Sequence, residues 1–431
     1  MLAKGGEGGG KSVFGIVKDL NRLRAGMNGI LVSPDLPHFK KSLWPEFRRW
    51  CPPEAVVEKD RYRLSETWEA QHGFELHFYN MLGGISTLYC GGIEEPGSWE
   101  GPNVNFAHFD EARRAKRPAA LKVLDGRIRI TGPSGESPQL WLTTTPELGR
   151  GWIYRYFGPI DTSAGGEFEE FKRNALVITL LTRDNSANLD PEYERNRRNS
   201  LTKEEADVLL EAQWSAGAAG LVYGTFGEEN LTDDEPDLEL PFEIAFDDGY
   251  IDPRAILFIQ RTGTRILVFD ELYHRRHLEE VCVEEAVERC GERFGWRWLD
   301  EGGQDVEEPD DAAGALAKGW SRRAKRLPEI AVGSHEATQL HRRFRKADIP
   351  SRHALHPIVE GIRLVRSLVC DGNEYRTIRV NRRCRNLISE MAEGYVYPDA
   401  ESSKRDNEQP IDENNHACDA LRMWAWLRSK G

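Results

Sequence analysis

Residues 5–12 read Gly5-Gly6-Glu7-Gly8-Gly9-Gly10-Lys11-Ser12. Gly5, four intervening residues, then Gly10, Lys11 and Ser12 form the G-x-x-x-x-G-K-[ST] phosphate-binding pattern. Glycines let the backbone take conformations that other residues resist, so successive N–H groups can point at phosphate oxygens. In such a loop Lys11 reaches the β- and γ-phosphates and Ser12 holds Mg²⁺. The next segment, Val13 to Leu23, predicts a helix whose positive N-terminus adds to the anion site. Glycine density alone also fits a loose terminus, so a second signal is needed.

That signal lies downstream. An apolar strand, Val104 to Phe109, runs into Asp110-Glu111. Asp110 is expected in the Mg²⁺ shell and Glu111 is expected to activate the attacking water. Leu142-Thr143-Thr144-Thr145-Pro146 is a further strand ending in hydroxyls. In ATP motors such a segment can sense the γ-phosphate and couple hydrolysis to movement.

The chain has 431 residues, enough for two or three domains, and carries 12 Trp among an ordinary supply of apolar residues. No apolar run is long enough to span a bilayer, and the N-terminus lacks the pattern of a signal peptide. The 7 cysteines form no C-x-x-C pair and no zinc spacing, which reads as reduced thiols in a cytoplasm. Net charge is −13, which argues against a protein that simply coats nucleic acid. The charge is uneven. Lys and Arg outnumber Asp and Glu between Lys318 and Asn386, whereas Glu228 to Asp248 contains neither Lys nor Arg. A phosphate-gripping face beside a metal site would look like this, and so would ordinary solvated surface.

Strand and helix patterns alternate through the first 185 residues, as an α/β domain requires. Strands are expected at Gly29–Ser33, Phe74–Phe78, Ser86–Gly91 and Gln139–Thr144. A charged helix from Thr202 to Gln213 and an acid-rich stretch from Glu228 to Pro241 follow. Beyond Pro241 come a strand from Phe242 to Asp247, a hairpin from Ala255 to Leu272 turning at Thr262-Gly263, and a helix from Leu278 to Phe294. A short strand from Glu329 to Val332, a basic helix from Glu336 to Lys346 and a closing helix from about Glu413 to Leu427 complete the pattern. The boundary is placed near 230–240: residues 1–190 as a P-loop ATPase domain, 191–240 as a bridging segment, and 241–431 as a second domain.

With these residues the chain resembles the large terminase subunit of tailed bacteriophages over almost its whole length. The likeness rests on residues 5–12, Asp110-Glu111, Thr143-Thr144-Thr145-Pro146 followed by Gly151-Trp152-Ile153-Tyr154, and Glu211 to Trp214 through Leu221 to Phe226. Its most specific element is Asn414-Asn415-His416-Ala417-Cys418-Asp419-Ala420-Leu421-Arg422. The resemblance implies an α/β protein with an N-terminal P-loop NTPase domain and an RNase H-like nuclease domain. It implies ATP-driven movement of double-stranded DNA into a preformed capsid and metal-dependent cutting of concatemeric DNA. ATP and Mg²⁺ would be the cofactors, with Mn²⁺ an option at the nuclease site. Implied partners are the portal, a small terminase subunit and further copies of the chain in a ring on the procapsid. The implied location is the cytoplasm of the infected host and not the mature virion. The alternatives are a nucleotide-binding prophage motor whose nuclease has degenerated, and another P-loop DNA translocase, though no helicase motif follows residue 150.

Two departures from the family pattern stand in the first half. Only Met1 to Lys4 precede the loop where the family has a longer segment with a strand and adenine contacts, which implies a truncated start or weak base recognition. The family's arginine in or near the loop is replaced by Glu7 and Glu100, leaving Lys4, Arg113 or Arg114 as substitutes.

In the second half, strand alternation sends Asp247 and Asp248 to opposite faces. The family's metal ligand is the first acid, which matches Asp247. His416 and Asp419 lie three apart on the closing helix and so share a face, with Leu421, Trp424 and Leu427 toward the core. A strand carboxylate and a helix carboxylate suit two metals about 4 Å apart across the scissile phosphate. The family's third acid, an aspartate before the basic helix, is missing from Val332-Gly333-Ser334-His335-Glu336. Glu336, His335, Asp270 and Glu271 are the candidates to replace it. Arg342, Arg343, Arg345 and Lys346, with Arg382, Arg383 and Arg385, are expected to contact DNA phosphates.

Overall fold

The computed structural model describes residues 1–115, 118–147, 152–159, 167–214, 221–354, 357–397 and 409–430. Gly151 of the expected motif lies outside them. The chain divides into two compact units, residues 1–200 with 204–217, and residues 201–203 with 218–431. The expected bridge, 191–240, is shared between the two.

In the first unit the strands are β1 (Leu2–Gly5), β2 (Gly29–Ser33), β3 (Phe74–Tyr79), β4 (Ile85–Gly92), β5 (Phe106–Asp110), β6 (Gln139–Thr144) and β7 (Val177–Leu180). They join in the order β3-β4-β2-β5-β6-β1-β7. Only β3 and β4 pair antiparallel; every other neighbouring pair is parallel. A parallel sheet is covered on both faces, which explains the unbroken apolar run of β2. One face packs Ile16, Leu23, Trp44, Phe47, Phe106 and Trp141, and the other Ile30, Val32, Ala107, Phe109 and Leu142. Along β5, therefore, Phe106 and His108 share one face and Ala107 and Phe109 the other.

The residues before the loop do form a strand. β1 is buried throughout and pairs with β6 on one side and β7 on the other. Its four residues are too few to show a period, so only the neighbouring strands reveal it. β1 delivers the glycine loop to the C-terminal edge of the sheet, where open α/β sheets bind their ligands. The helix Lys11–Arg24 starts inside the loop.

The second unit contains β8 (Leu231–Thr232), β9 (Phe242–Asp247), β10 (Arg254–Thr262), β11 (Arg265–His274), β12 (Trp296–Leu299), β13 (Asp305–Val306), β14 (Ser321–Ala324), β15 (Ala331–Ser334), β16 (Ser351–Ala354) and β17 (Ile378–Asn381). The main sheet has the order β16-β15-β9-β10-β11-β17-β8, and β13-β12-β14 form a small separate sheet. β9, β10 and β11 are an antiparallel meander, with β15 and β16 parallel to β9 on its other side. This is the RNase H-like arrangement that the resemblance implied. The helices Glu279–Phe294 and Thr338–Lys346 cover one face; Ile358–Val369 and His416–Arg428 cover the other.

Alternation along β9 decides the direction of its acids. Phe242, Ile244 and Phe246 pack in one core and Ala245 in the opposite one. Glu243 accepts hydrogen bonds from Trp424 Nε1 (2.5 Å) and Arg428 Nε (2.8 Å) of the closing helix. Asp247 shares that parity and so faces the closing helix.

Candidate active sites

The glycine loop takes the conformations that its composition allows. Gly8 and Gly10 have φ of 72° and 80°, a left-handed backbone that side-chain-bearing residues resist. Lys11 is buried, and its ammonium donates to the Gly6 carbonyl at 2.8 Å. Burial lowers its pKa, while the nearby carboxylates of Glu111 and Asp110 act against that shift. The loop is braced from outside by Thr182, whose hydroxyl donates to Glu7 O (2.7 Å), and by Asn185, whose amide donates to Gly8 O (2.7 Å).

Asp110 sits at the end of β5 as a shared acceptor. Ser12 Oγ donates to its Oδ1 at 3.1 Å, and Thr143 Oγ1 donates to the same oxygen at 2.5 Å. Its Oδ2 is buried with no hydrogen-bond partner, and so is Glu111 Oε2. Glu111 has a left-handed φ of 49°, a backbone cost that residues at functional sites often carry. Thr144 and Thr145 are buried beside Thr143, and Thr144 Oγ1 accepts from Arg113 N at 3.2 Å. The phosphate-loop serine, the strand acid and the expected coupling threonine are therefore brought into one cluster.

The expected substitute cations separate. Lys4 donates to the Ala212 carbonyl and lies 5.3 Å from the centre of the Trp214 ring, so its charge is engaged away from the loop. Arg113 and Arg114 flank Glu111, with Nε atoms 3.6 Å and 3.7 Å from its Oε2. One arginine that sequence reasoning missed reaches the loop itself. Arg197, in the helix Tyr193–Asn199, donates to Glu7 Oε2 at 2.6 Å and Oε1 at 3.2 Å. Nothing local marks it, because 190 residues separate the partners.

In the second unit Asp247 Oδ2 lies 3.0 Å from His416 Nδ1. That hydrogen bond, working against burial, holds His416 above the usual histidine range. Asp419, on the same helix, pairs with Arg422 Nη2 at 2.7 Å, while its Oδ1 is buried without a partner. Its carboxyl is pushed up to about 6, chiefly by burial, with the charge of Asp247 adding and Arg422 opposing. Asp248 turns the other way and pairs with buried Arg254 at 2.6 Å.

The candidates for the third acid are held elsewhere. Asp270 is buried, and its oxygens accept from Arg289 Nη1 (2.7 Å) and Arg293 Nε (2.7 Å), so both are engaged in ion pairs. Glu271 accepts from the backbone N–H groups of Asn386 (2.7 Å) and Leu387 (3.0 Å), capping the helix Arg385–Ser389. His335 and Glu336 stand beyond the end of β15 with side chains 56% and 83% exposed. Across the sheet Asp247 pairs with Ala255 of β10, and on the β15 side the register that sets Gly333 beside Phe246 brings Ser334 next. Among the described residues, no group of three His, Cys, Asp or Glu side chains is placed to hold a metal ion.

Several basic residues expected on DNA are matched by the acid-rich stretch. Arg382 pairs with Glu228 and Arg383 with Glu235, while Arg343 pairs with Glu280 of the helix Glu279–Phe294. The uneven charge of the sequence is thus partly self-neutralised. Arg345 donates to Ser351 O at 3.0 Å, and Arg342 is exposed.

No family model and no curated protein matches the chain. Solved structures similar to it include phage large terminases. The large terminase of a thermophilic bacteriophage, solved with ADP, is 14% identical, covers 100% of this chain and 94% of its own, and has a TM-score of 0.42. The nuclease domain of the P22 large terminase is 14% identical over 49% of this chain and 93% of its own, with a TM-score of 0.33. The ATPase domain of the large terminase of Thermus phage P74-26 is 18% identical over 49% of this chain and 87% of its own, also at 0.33. So remote a likeness leaves function to the chemistry of the sites.

Proposed function

We propose that this chain is the large subunit of a viral DNA-packaging terminase. In this reading the first unit hydrolyses ATP to drive double-stranded DNA into a procapsid, and the second cuts concatemeric DNA. The observation that carries it is the cluster at Asp110, where a phosphate loop, a strand-end acid pair and a hydroxyl-bearing strand converge.

The first unit suits a hard divalent cation. Ser12 and Asp110 offer oxygen donors, and the buried Oδ2 of Asp110 lacks any other partner. Mg²⁺ held there would neutralise charge on the β- and γ-phosphates. Gly5, Gly8 and Gly10 would present backbone N–H groups to the phosphates, Lys11 would bind them, and Glu111 would take a proton from the attacking water. Thr143, Thr144 and Thr145 would couple the state of the nucleotide to movement.

The second unit suits a metal less well. Asp247, Asp419 and His416 are its donors, but Arg422 already pairs with one carboxylate, and Ser334 stands where a third acid is expected. That serine favours a second reading, a packaging motor whose nuclease no longer cuts. Portal, small subunit, a ring of copies and the host cytoplasm belong to the terminase proposal as expected context. No helix of the described residues is long and apolar enough to cross a membrane.

Nicking of supercoiled plasmid with Mn²⁺ or Mg²⁺ tests the nuclease. Cutting by the parent that disappears in both Asp247→Ala and Asp419→Ala supports it; a parent that hydrolyses ATP but never cuts supports the degenerate reading. The raised pKa values of Asp419 and His416 give a pH dependence. Below pH 6 Asp419 becomes neutral and His416 is a cation bound to Asp247, and both oppose metal binding. Nicking is therefore expected to rise with pH, by up to about a hundredfold per unit where both groups are protonated, and to level off once both have lost their protons. A flat profile from pH 5 to 8 would contradict these roles.

A further inference from the structure

We infer that His108 is a positioning residue for ATP hydrolysis, which links Asp19 of the first helix through Thr143 to Asp110 and so fixes how Asp110 presents its oxygens. The inference rests on the ATPase reading of the first unit. Asp19, His108, Thr143 and Asp110 form one buried line. His108 Nδ1 lies 2.7 Å from Asp19 Oδ2, and its Nε2 lies 2.8 Å from Thr143 Oγ1. Thr143 Oγ1 lies 2.5 Å from Asp110 Oδ1. Asp19, His108 and Thr143 are fully buried, and Asp110 is 1% exposed.

Proton counting orients the line. A hydroxyl has one proton to donate, and an ionised carboxylate has none. Thr143 gives its proton to Asp110, so its oxygen must accept from His108 Nε2–H. The ionised Asp19 must then accept from Nδ1–H, so the ring carries a proton on each nitrogen, and Asp19 holds it in orientation, as outer partners of metal-binding groups do. The consequence falls on Asp110. Ser12 and Thr143 both donate to Oδ1, and Oδ2 stays buried and unpartnered for the cation.

A second feature makes room for the ring. Gly15 lies in the interior of the helix Lys11–Arg24, where glycine is unfavourable. A Cβ at that position would meet His108 Cε1 at 2.2 Å and Nε2 at 2.5 Å. Leu or Val at 108 would satisfy the core at lower desolvation cost, because burying a polar ring and a carboxylate is unfavourable unless they pair. The helix contributes Asp19, β5 contributes His108 and Asp110, and β6 contributes Thr143 to the same line.

The test uses the full chain and steady-state ATP hydrolysis. Asparagine at 108 places its amide nitrogen near the Nδ1 position, and glutamine places its amide nitrogen near Nε2. His108→Asn is expected to lose the link to Thr143 and to lower kcat about 10- to 100-fold, leaving KM for ATP within about threefold. His108→Gln is expected to recover most of that loss. Thr143→Val is expected to match His108→Asn, and the double variant to be no slower than either single one, because the two act through one line. Parent rates in His108→Asn, equal losses in the Asn and Gln variants, or additive losses with Thr143→Val would overturn the inference. Should His108→Asn fail to fold, ¹⁵N-histidine spectra of the parent read the same link. A slowly exchanging Nε2–H that vanishes in Thr143→Val supports it, and a buried ring with a bare Nε2 overturns it. Hydrolysis that depends on Lys11 but not on His108 rejects the inference alone; hydrolysis independent of Lys11 rejects the ATPase reading as well.

Discussion

Replacing Lys11 with alanine is expected to lower ATP hydrolysis about a thousandfold or more while leaving the fold intact. The ammonium is the cation that the loop itself supplies, and it lies buried over the Gly6 carbonyl. Lys4 cannot replace it, being engaged by Ala212 and Trp214, and Arg113 and Arg114 are drawn to Glu111. Stability should change little, within about 1 kcal/mol, because removing a desolvated charge offsets the lost hydrogen bond. Hydrolysis rates and thermal melts of the two proteins, measured together, check this. Equal rates would remove the motor claim, and a large drop in melting temperature would mean that the lysine is chiefly structural.

Replacing Asp270 with alanine is expected to destabilise the second unit by about 2–4 kcal/mol, and to impair cutting only through that loss. Asp270 is 2% exposed and answers both Arg289 and Arg293. Removing it leaves Arg289 with only Glu292 and Arg293 with only Glu235 as ion-pair partners among the described residues. The two arginine side chains remain 30% and 29% exposed, so solvent relieves part of the cost, which sets the lower end of the range. Asp247→Ala makes the contrast: Asp247 faces His416 at the strand end, and its loss should leave denaturant unfolding near that of the parent. A normally stable Asp270→Ala protein that has lost metal-dependent cutting would return Asp270 to the list of ligands.

Much of the fold was legible because its signals are local. Gly29–Ser33 reads as a buried strand from five consecutive residues, and the hairpin around Gly263 reads from two alternating runs and a turn. β1 was not legible, because Leu2–Gly5 offers four residues and no period; its place between β6 and β7 makes it a strand. The small sheet β13-β12-β14 escaped for the same reason, with strands of two to four residues.

The sites divide along the same line. The sequence by itself determined the glycine loop, Lys11, Ser12, the acid pair at 110–111, the hydroxyls at 143–145 and the placing of His416 and Asp419 three residues apart on one helix. All of these are set by spacing along the chain, and backbone geometry converts spacing directly into shared faces and positive φ angles. Only the tertiary structure decided that Asp247 faces the closing helix, that Asp270 belongs to two arginines, that Arg382 and Arg383 answer acids, and that His108 joins Asp19 to Thr143. A charged or polar side chain takes its role from the partners that surround it once water is removed. Those partners lie tens to hundreds of residues away, where only the packed sheets and helices bring them within hydrogen-bonding distance.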